Sequence, residues 1–216
     1  MPDPANGRIG YALGVAYAER NRRPPRTLTD EETRKLLKVS GEHRDGFRDH
    51  IILSFALGCG LRESEIVALD VEDVTADGRR PRRTLQLRVF KRGGGNADPK
   101  HQRVPLPDGT FYKLEKYLAS IKPRKTGPLF ISRSKAARLS TKAVRTMFAK
   151  WQKAAGFDHL YSFHHLRHTS ISNVQRAQRD VRVTQKFARH LNINTTTIYE
   201  HASDEEVLRA VKRLAS

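Results

Sequence analysis

The segment FRDHIILSFAL, residues 47–57, is apolar on most of its faces, with Ile51, Ile52, Leu53, Phe55, Ala56 and Leu57 in near succession. A helix of that composition cannot lie on a surface with one face in water, so other elements must be built around it. Gly58 or Gly60 marks its end. The 216 residues suffice for one domain, or one domain with an arm, packed around this central helix.

The surrounding elements announce themselves locally. Thr29-Asp30-Glu31-Glu32 forms a capping box with its acids at the positive end of the helix dipole, and opens a helix to about Val39. A helical pattern resumes over 61–69. Phe111, Leu114, Leu118 and Ile121 predict another helix, as do Val144, Met147, Phe148 and Trp151, with Ser140 as N-cap and Gly156 as stop. Residues 164–176, 181–189 and 203–214 complete the set, the last opened by the capping box Ser203-Asp204-Glu205-Glu206. Short antiparallel strands are expected at 71–75, 84–90 and 101–106, with 91–100 as the last hairpin. The first 26 residues carry four prolines and a basic run, Arg20 to Arg26, and read as an arm or linker in which only 9–19 could form a short helix. The fold class is mainly α (α+β), with one small three-stranded antiparallel sheet.

Lys and Arg number 41 against 23 Asp and Glu, a formal charge of +18. That exceeds the magnitude of about 2 to 8 that keeps a small domain in solution. A surface that neutralises several phosphates gains affinity by releasing counterions condensed on nucleic acid, so double-stranded DNA is the expected partner. No stretch approaches the roughly 18 apolar residues of a spanning helix, and MPDPANGRIG lacks an apolar leader. The expectation is a cytoplasmic, nucleoid-associated protein with no membrane partner. Cys59, the only cysteine, excludes an internal disulfide framework and a Cys-based zinc site.

Three clusters stand apart from the core pattern: Gly60-Leu61-Arg62-Glu63-Ser64-Glu65-Ile66, where an arginine follows a glycine break, Ser162-Phe163-His164-His165-Leu166-Arg167-His168-Thr169, and 188–201 with His190 and Tyr199. His164 and Arg167 are three apart and share a helix face, so both could reach one anion. Two arginines with a histidine could balance the charge that develops when a phosphodiester is attacked, and Tyr199 offers the hydroxyl of a covalent mechanism. A metal held by His164 and His168 lacks a third ligand, and the Arg167 charge lies between them. Gly93-Gly94-Gly95 sits in a hairpin and lacks the Gly-Lys-Ser/Thr ending of a phosphate-binding loop.

Arg62 in GLRESEI, His164-x-x-Arg167 in HHLRHT, and His190 followed nine residues later by Tyr199 make the chain resemble the tyrosine recombinases, the phage-integrase and Xer-like group, from about Thr27 to the C-terminus. Singly, Arg62 could be a helix cap, Tyr199 a core residue and His164 a helix start; the ordered set is not explained that way. The resemblance implies a catalytic domain over 27–216, after a basic arm over 1–26. It implies that Arg62 and Arg167 hold the non-bridging oxygens of the scissile phosphate. Tyr199 attacks to give a 3′-phosphotyrosine, His164 assists proton transfer, His190 hydrogen-bonds a phosphate oxygen, and Glu65 braces the site. The family's general-acid lysine on the hairpin corresponds to Lys91, with Lys100 as the rival.

The implied activity is site-specific DNA strand exchange without ATP, metal or other cofactor. It would be carried out by a homo-oligomer on DNA, a tetramer in the synaptic complex. A type IB topoisomerase and a catalytically idle DNA-binding accessory protein are the alternatives. In the family the residue before His190 is commonly glycine, and Arg189 here could crowd that turn or contact phosphate. The family's core-binding domain is absent from these 216 residues. The expectation is therefore either a catalytic fragment or a minimal recombinase that borrows its second DNA grip from an accessory protein.

Overall fold

A computed structural model of the chain describes residues 25–44, 46–89, 100–132, 137–190 and 192–199. It divides into two compact units, Thr27–Ser170 and a second that takes up the chain again at Ile171.

The first unit is organised as its most apolar segment requires. Helix α1 (Asp30–Glu42) is opened by the expected capping box: the Thr29 hydroxyl accepts from the Glu32 amide at 3.1 Å and Glu32 accepts from the Thr29 amide at 2.7 Å. Helix α2 (Phe47–Cys59) is buried continuously from Asp49 to Ala56 and again at Cys59. It ends at Gly60, whose φ of 59° is the left-handed conformation glycine adopts without strain. Helices α1, α3 (Glu63–Ala68) and α5 (Asp108–Ser120) pack on α2, while α6 (Thr141–Ala154) packs on α1 and α3. Ser140 caps α6 as expected, accepting from the Ala143 amide. Asp49 is satisfied inside the core by the Trp151 indole at 3.0 Å and by Arg48, which also reaches the Ile131 carbonyl.

One expected strand is corrected. Residues 71–75 form a helical turn, α4 (Val71–Val74), and Thr75 makes only an isolated bridge to Pro81. The reason is local: Asp70 and Asp73 form a capping box, with the Asp70 amide 2.8 Å from Asp73, and Val71 and Val74, three residues apart, fall on one face of the helical turn and not on alternate positions of a strand. Among the described residues the sheet therefore has two strands, β1 (Thr84–Val89) and β2 (Lys100–Pro105). They are antiparallel, with Thr84 opposite Pro105 and Val89 opposite Lys100. Leu85, Leu87 and Val104 turn into the core. Arg88 of β1 pairs with Asp70 at 2.8 Å and Asp73 at 3.5 Å, tying the sheet to the α4 turn.

Helix α7 (His164–Gln178) begins in the first unit. The second contains α8 (Val181–Ala188), capped by Asp180, and the short α9 (Asn194–Thr197). Its small core is Ile171, Ala188 and Tyr199, with Phe187 and Ile198 packed against it. The arm over 1–24, the hairpin over 90–99 with Lys91, and the helix expected over 203–214 lie outside the described residues. Among the described residues no helix is long and apolar enough to cross a membrane.

His50, buried on α2 with Nδ1 3.0 Å from the Ser40 hydroxyl, has its pKa pushed down to about 4 by burial, helped by the Lys113 charge. From its ordinary value of 6.5 down to about 4, the unfolded chain takes up a proton that the folded chain resists. Stability present above 6.5 is thus lost as pH falls through that window, by at most about 3 kcal/mol from this group. Urea unfolding at stepped pH should show this loss, and His50→Gln should flatten it; an unflattened profile contradicts the assignment.

Candidate active site

The turn at Gly60 delivers the first site residue. Arg62 is the N-cap of α3, and Glu65 holds it twice: the backbone amide and the guanidinium Nη1 each donate to the carboxylate at 2.8 Å. Glu65 thereby fixes the helix start and the direction of the arginine together. The Arg62 side chain keeps 40% of its surface exposed.

Arg167 lies one helical turn after His164 on α7 and is only 2% exposed. Its guanidinium donates to the carbonyl of Gly60, the residue that caps α2. The start of α7 is held by contacts distant in sequence. The Gln152 amide group clamps the backbone of Tyr161 from both sides, accepting from its N–H at 2.6 Å and donating to its carbonyl at 3.1 Å. The Tyr161 hydroxyl donates to Glu32 at 3.1 Å, and the Leu28 amide donates to the Thr169 hydroxyl at 2.9 Å.

The result is a cleft of about 430 Å³ whose lining includes Arg62, Glu63, Arg145, Tyr161, His164 and Arg167. His164 has an exposed edge and stacks edge-on with His168, ring centroids 4.4 Å apart. Its pKa is lowered below the ordinary imidazole value, first by desolvation of the ring base and then by the charges of Arg167 and Arg62, against a weaker opposing pull from Glu63. The shift favours the uncharged imidazole, which can accept a proton beside the two arginines. Among the described residues no group of three His, Cys, Asp or Glu is placed to hold a metal ion.

In the second unit, His190 follows the C-terminus of α8. Gln185 clamps its backbone, accepting from the His190 amide and donating to its carbonyl, each at 3.2 Å. The ring Nδ1 lies 3.0 Å from the Thr196 hydroxyl, which sets the plane of the imidazole. Tyr199, 7% exposed, stacks near-parallel on that ring at 6.4 Å. Arg189, where the family commonly has glycine, adopts the left-handed φ of 58° and caps α8 through its amide. A side chain in that conformation costs roughly 1 to 2 kcal/mol relative to glycine.

Arg62, Glu65, His164 and Arg167 are thus brought together, and His190 is brought together with Tyr199. Lys91 lies outside the described residues, and Lys100 opens β2. Sequence reasoning missed Arg145 and the Gln152 clamp, and placed Glu63 in the first cluster without a role. Arg145 and Glu63 are 82 residues apart and share no local pattern that could have joined them. Replacing Arg62 by Gln removes one of the charges that depress His164, so the His164 titration followed by NMR at Cε1–H should move upward; an unmoved midpoint contradicts the electrostatic account of this ring.

The model of the phage integrase family matches residues 26–206. Among curated proteins, the tyrosine recombinase XerC of Caldanaerobacter subterraneus subsp. tengcongensis is 33% identical over 199 residues, covering 88% of this chain and 51% of its own length. The tyrosine recombinase XerA of Pyrococcus horikoshii is 28% identical over 191 residues, covering 88% and 61%. The chain thus spans about half to three-fifths of the length of these relatives. Among solved structures, the XerA recombinase superposes with a TM-score of 0.67 at 24% identity, covering 90% of this chain and 66% of the other. The XerH site-specific recombinase bound to its difH substrate, a pre-cleavage complex, superposes at 0.70 with 21% identity, covering 90% and 55%. At such identities the superpositions establish the fold: mainly helical, with a small antiparallel sheet.

Proposed function

Because the chain belongs to the phage integrase family, we propose that it is a site-specific DNA recombinase that cuts and rejoins double-stranded DNA through a tyrosine-linked intermediate. The observation that carries this reading is the cleft in which Arg62, His164 and Arg167 meet from two segments about a hundred residues apart. The family match and the XerC and XerA relatives support it further.

In this mechanism Arg62 and Arg167 hold the two non-bridging oxygens of the scissile phosphate and stabilise the charge that grows there during attack. The Tyr199 hydroxyl oxygen forms a bond to phosphorus, the bond to the 5′ oxygen breaks, and a 3′-phosphotyrosine remains. Neutral His164 assists the transfer of the tyrosine proton, and His190 hydrogen-bonds a phosphate oxygen. Lys91, or in its place Lys100, protonates the leaving 5′ oxygen. The phosphodiester energy is conserved in the tyrosyl ester, so rejoining to a new 5′ hydroxyl needs no ATP. Exchange between two duplexes calls for several protomers, as a tetramer on DNA.

Residues 27–216 act as the catalytic domain behind a basic arm over 1–26. A second grip on the duplex is supplied by an accessory protein. The +18 charge suits this role in the cytoplasm, at the nucleoid.

A nicked suicide duplex carrying the site that the purified protein protects tests the chemistry. Wild type should form a protein–DNA adduct stable in denaturing gels. Tyr199→Phe should bind the duplex and form none; an undiminished adduct places the nucleophile elsewhere. Arg62→Ala and Arg167→Ala should each slow cleavage by about 10² to 10³-fold, the usual cost of losing one oxyanion donor. A substrate with sulfur at the scissile 5′ position loses its leaving group without a proton, so it should rescue Lys91→Ala and leave Lys100→Ala unaffected. The reverse pattern assigns the acid to Lys100, and a wild type that forms no adduct leaves a DNA-binding accessory role.

A further inference from the structure

The cleft holds a third guanidinium that the mechanism above does not use. Arg145, on α6, stands at the rim with its side chain 64% exposed. Its Nε lies 3.1 and 3.0 Å from the two carboxylate oxygens of Glu63, and its Nη2 also donates to Glu63 Oε1. Glu63 is the first residue of α3, one position after Arg62, with its side chain 23% exposed. Among the described residues that line the cleft, it is the one acid.

A carboxylate beside two cationic groups that are to receive a phosphate opposes that binding unless it is neutralised or moved. The geometry says what it occupies: an arginine fork engaged by two carboxylate oxygens presents the donors that two phosphate oxygens would take. An exposed ion pair of this kind contributes little to stability, so exchange for a phosphate is easy. The strand that brings a scissile phosphate to Arg62 and Arg167 also brings its neighbours, one charge per roughly 3.4 Å of helix axis, to the cleft rim.

We propose that Glu63 is a built-in stand-in for DNA phosphate: it holds Arg145 while the cleft is empty, and on binding Arg145 passes from Glu63 to a phosphate flanking the scissile one. This rests on the recombinase reading. Arg145 is then a phosphate-binding residue, and Glu63 sets a threshold that DNA must overcome before the third arginine engages.

Duplex binding across salt concentration separates this exchange from a merely structural pair. Wild type, Arg145→Gln, Arg145→Lys and Glu63→Gln are titrated with a duplex of about 30 bp between roughly 50 and 200 mM salt. Losing one phosphate contact flattens the slope of log K against log salt by about 0.9, so Arg145→Gln should lose affinity about 3.5-fold less than wild type across that range. Arg145→Lys, which keeps the charge, should keep the wild-type slope. Glu63→Gln should bind more tightly at every salt concentration with the wild-type slope, because the contact forms in both proteins and only the competing acid is gone. Thermal unfolding checks that each variant is folded. An Arg145→Gln slope equal to that of wild type, or a Glu63→Gln that binds no tighter, overturns the exchange while the recombinase reading stands. A wild type with no salt-dependent duplex binding overturns both.

Discussion

A buried hydrogen bond, from the Arg167 guanidinium to the carbonyl of Gly60, joins two segments of the cleft. A guanidinium with 2% exposure has given up its water, and must find acceptors in the protein to replace it. The C-terminus of α2 is well suited, because its last carbonyls point outward and the helix dipole places partial negative charge there. Gly60 can stand at that point only in a left-handed conformation that favours glycine. Burial of α2 therefore fixes Gly60, Gly60 fixes Arg167, and the chain leaving Gly60 supplies Arg62 two residues later.

The two arginines are held in different ways, and the difference suits different tasks. Arg167 is enclosed and pre-oriented, so it needs little rearrangement when charge appears near it. Arg62 is braced from behind by Glu65 but retains 40% exposure, so its guanidinium can still adjust to a ligand. Beside them the His164 pKa is lowered first by desolvation and then by the same positive field that would attract an anion. Arrival of a phosphate would weaken that field and make the imidazole more basic when a proton has to be moved.

Features that depend on neighbours along the chain were legible in the sequence. The apolar run of α2, the Thr29 capping box, the Ser140 cap and the shared face of His164 and Arg167 all rest on contacts within one or two helical turns. The misreading at 71–75 arose at that same scale: the Asp70/Asp73 caps close a turn on which Val71 and Val74, three apart, share a face, and a turn of four residues is too short for periodicity to decide. Arg189 departs from the family's glycine in identity while adopting the backbone conformation a glycine would favour. What stayed hidden depends on the tertiary fold. The Gln152 clamp on Tyr161, the Tyr161 bond to Glu32 and the Arg145–Glu63 pair span 9, 129 and 82 residues, and none leaves a periodic trace.

The central claim is that Arg62, His164 and Arg167 form one preassembled anion cradle. An NMR titration of the whole chain with inorganic tungstate, a tetrahedral dianion, tests it most directly by following the two arginine Nε–H signals and the His164 Cε1–H together. All three should move along one saturation curve with a shared affinity, the His164 pKa should rise in the bound state, and Arg167→Ala should abolish the response at the other two. Signals that saturate at different concentrations, or an Arg62 response that survives Arg167→Ala unchanged, would show that the cleft is a set of separate side chains and not a single site.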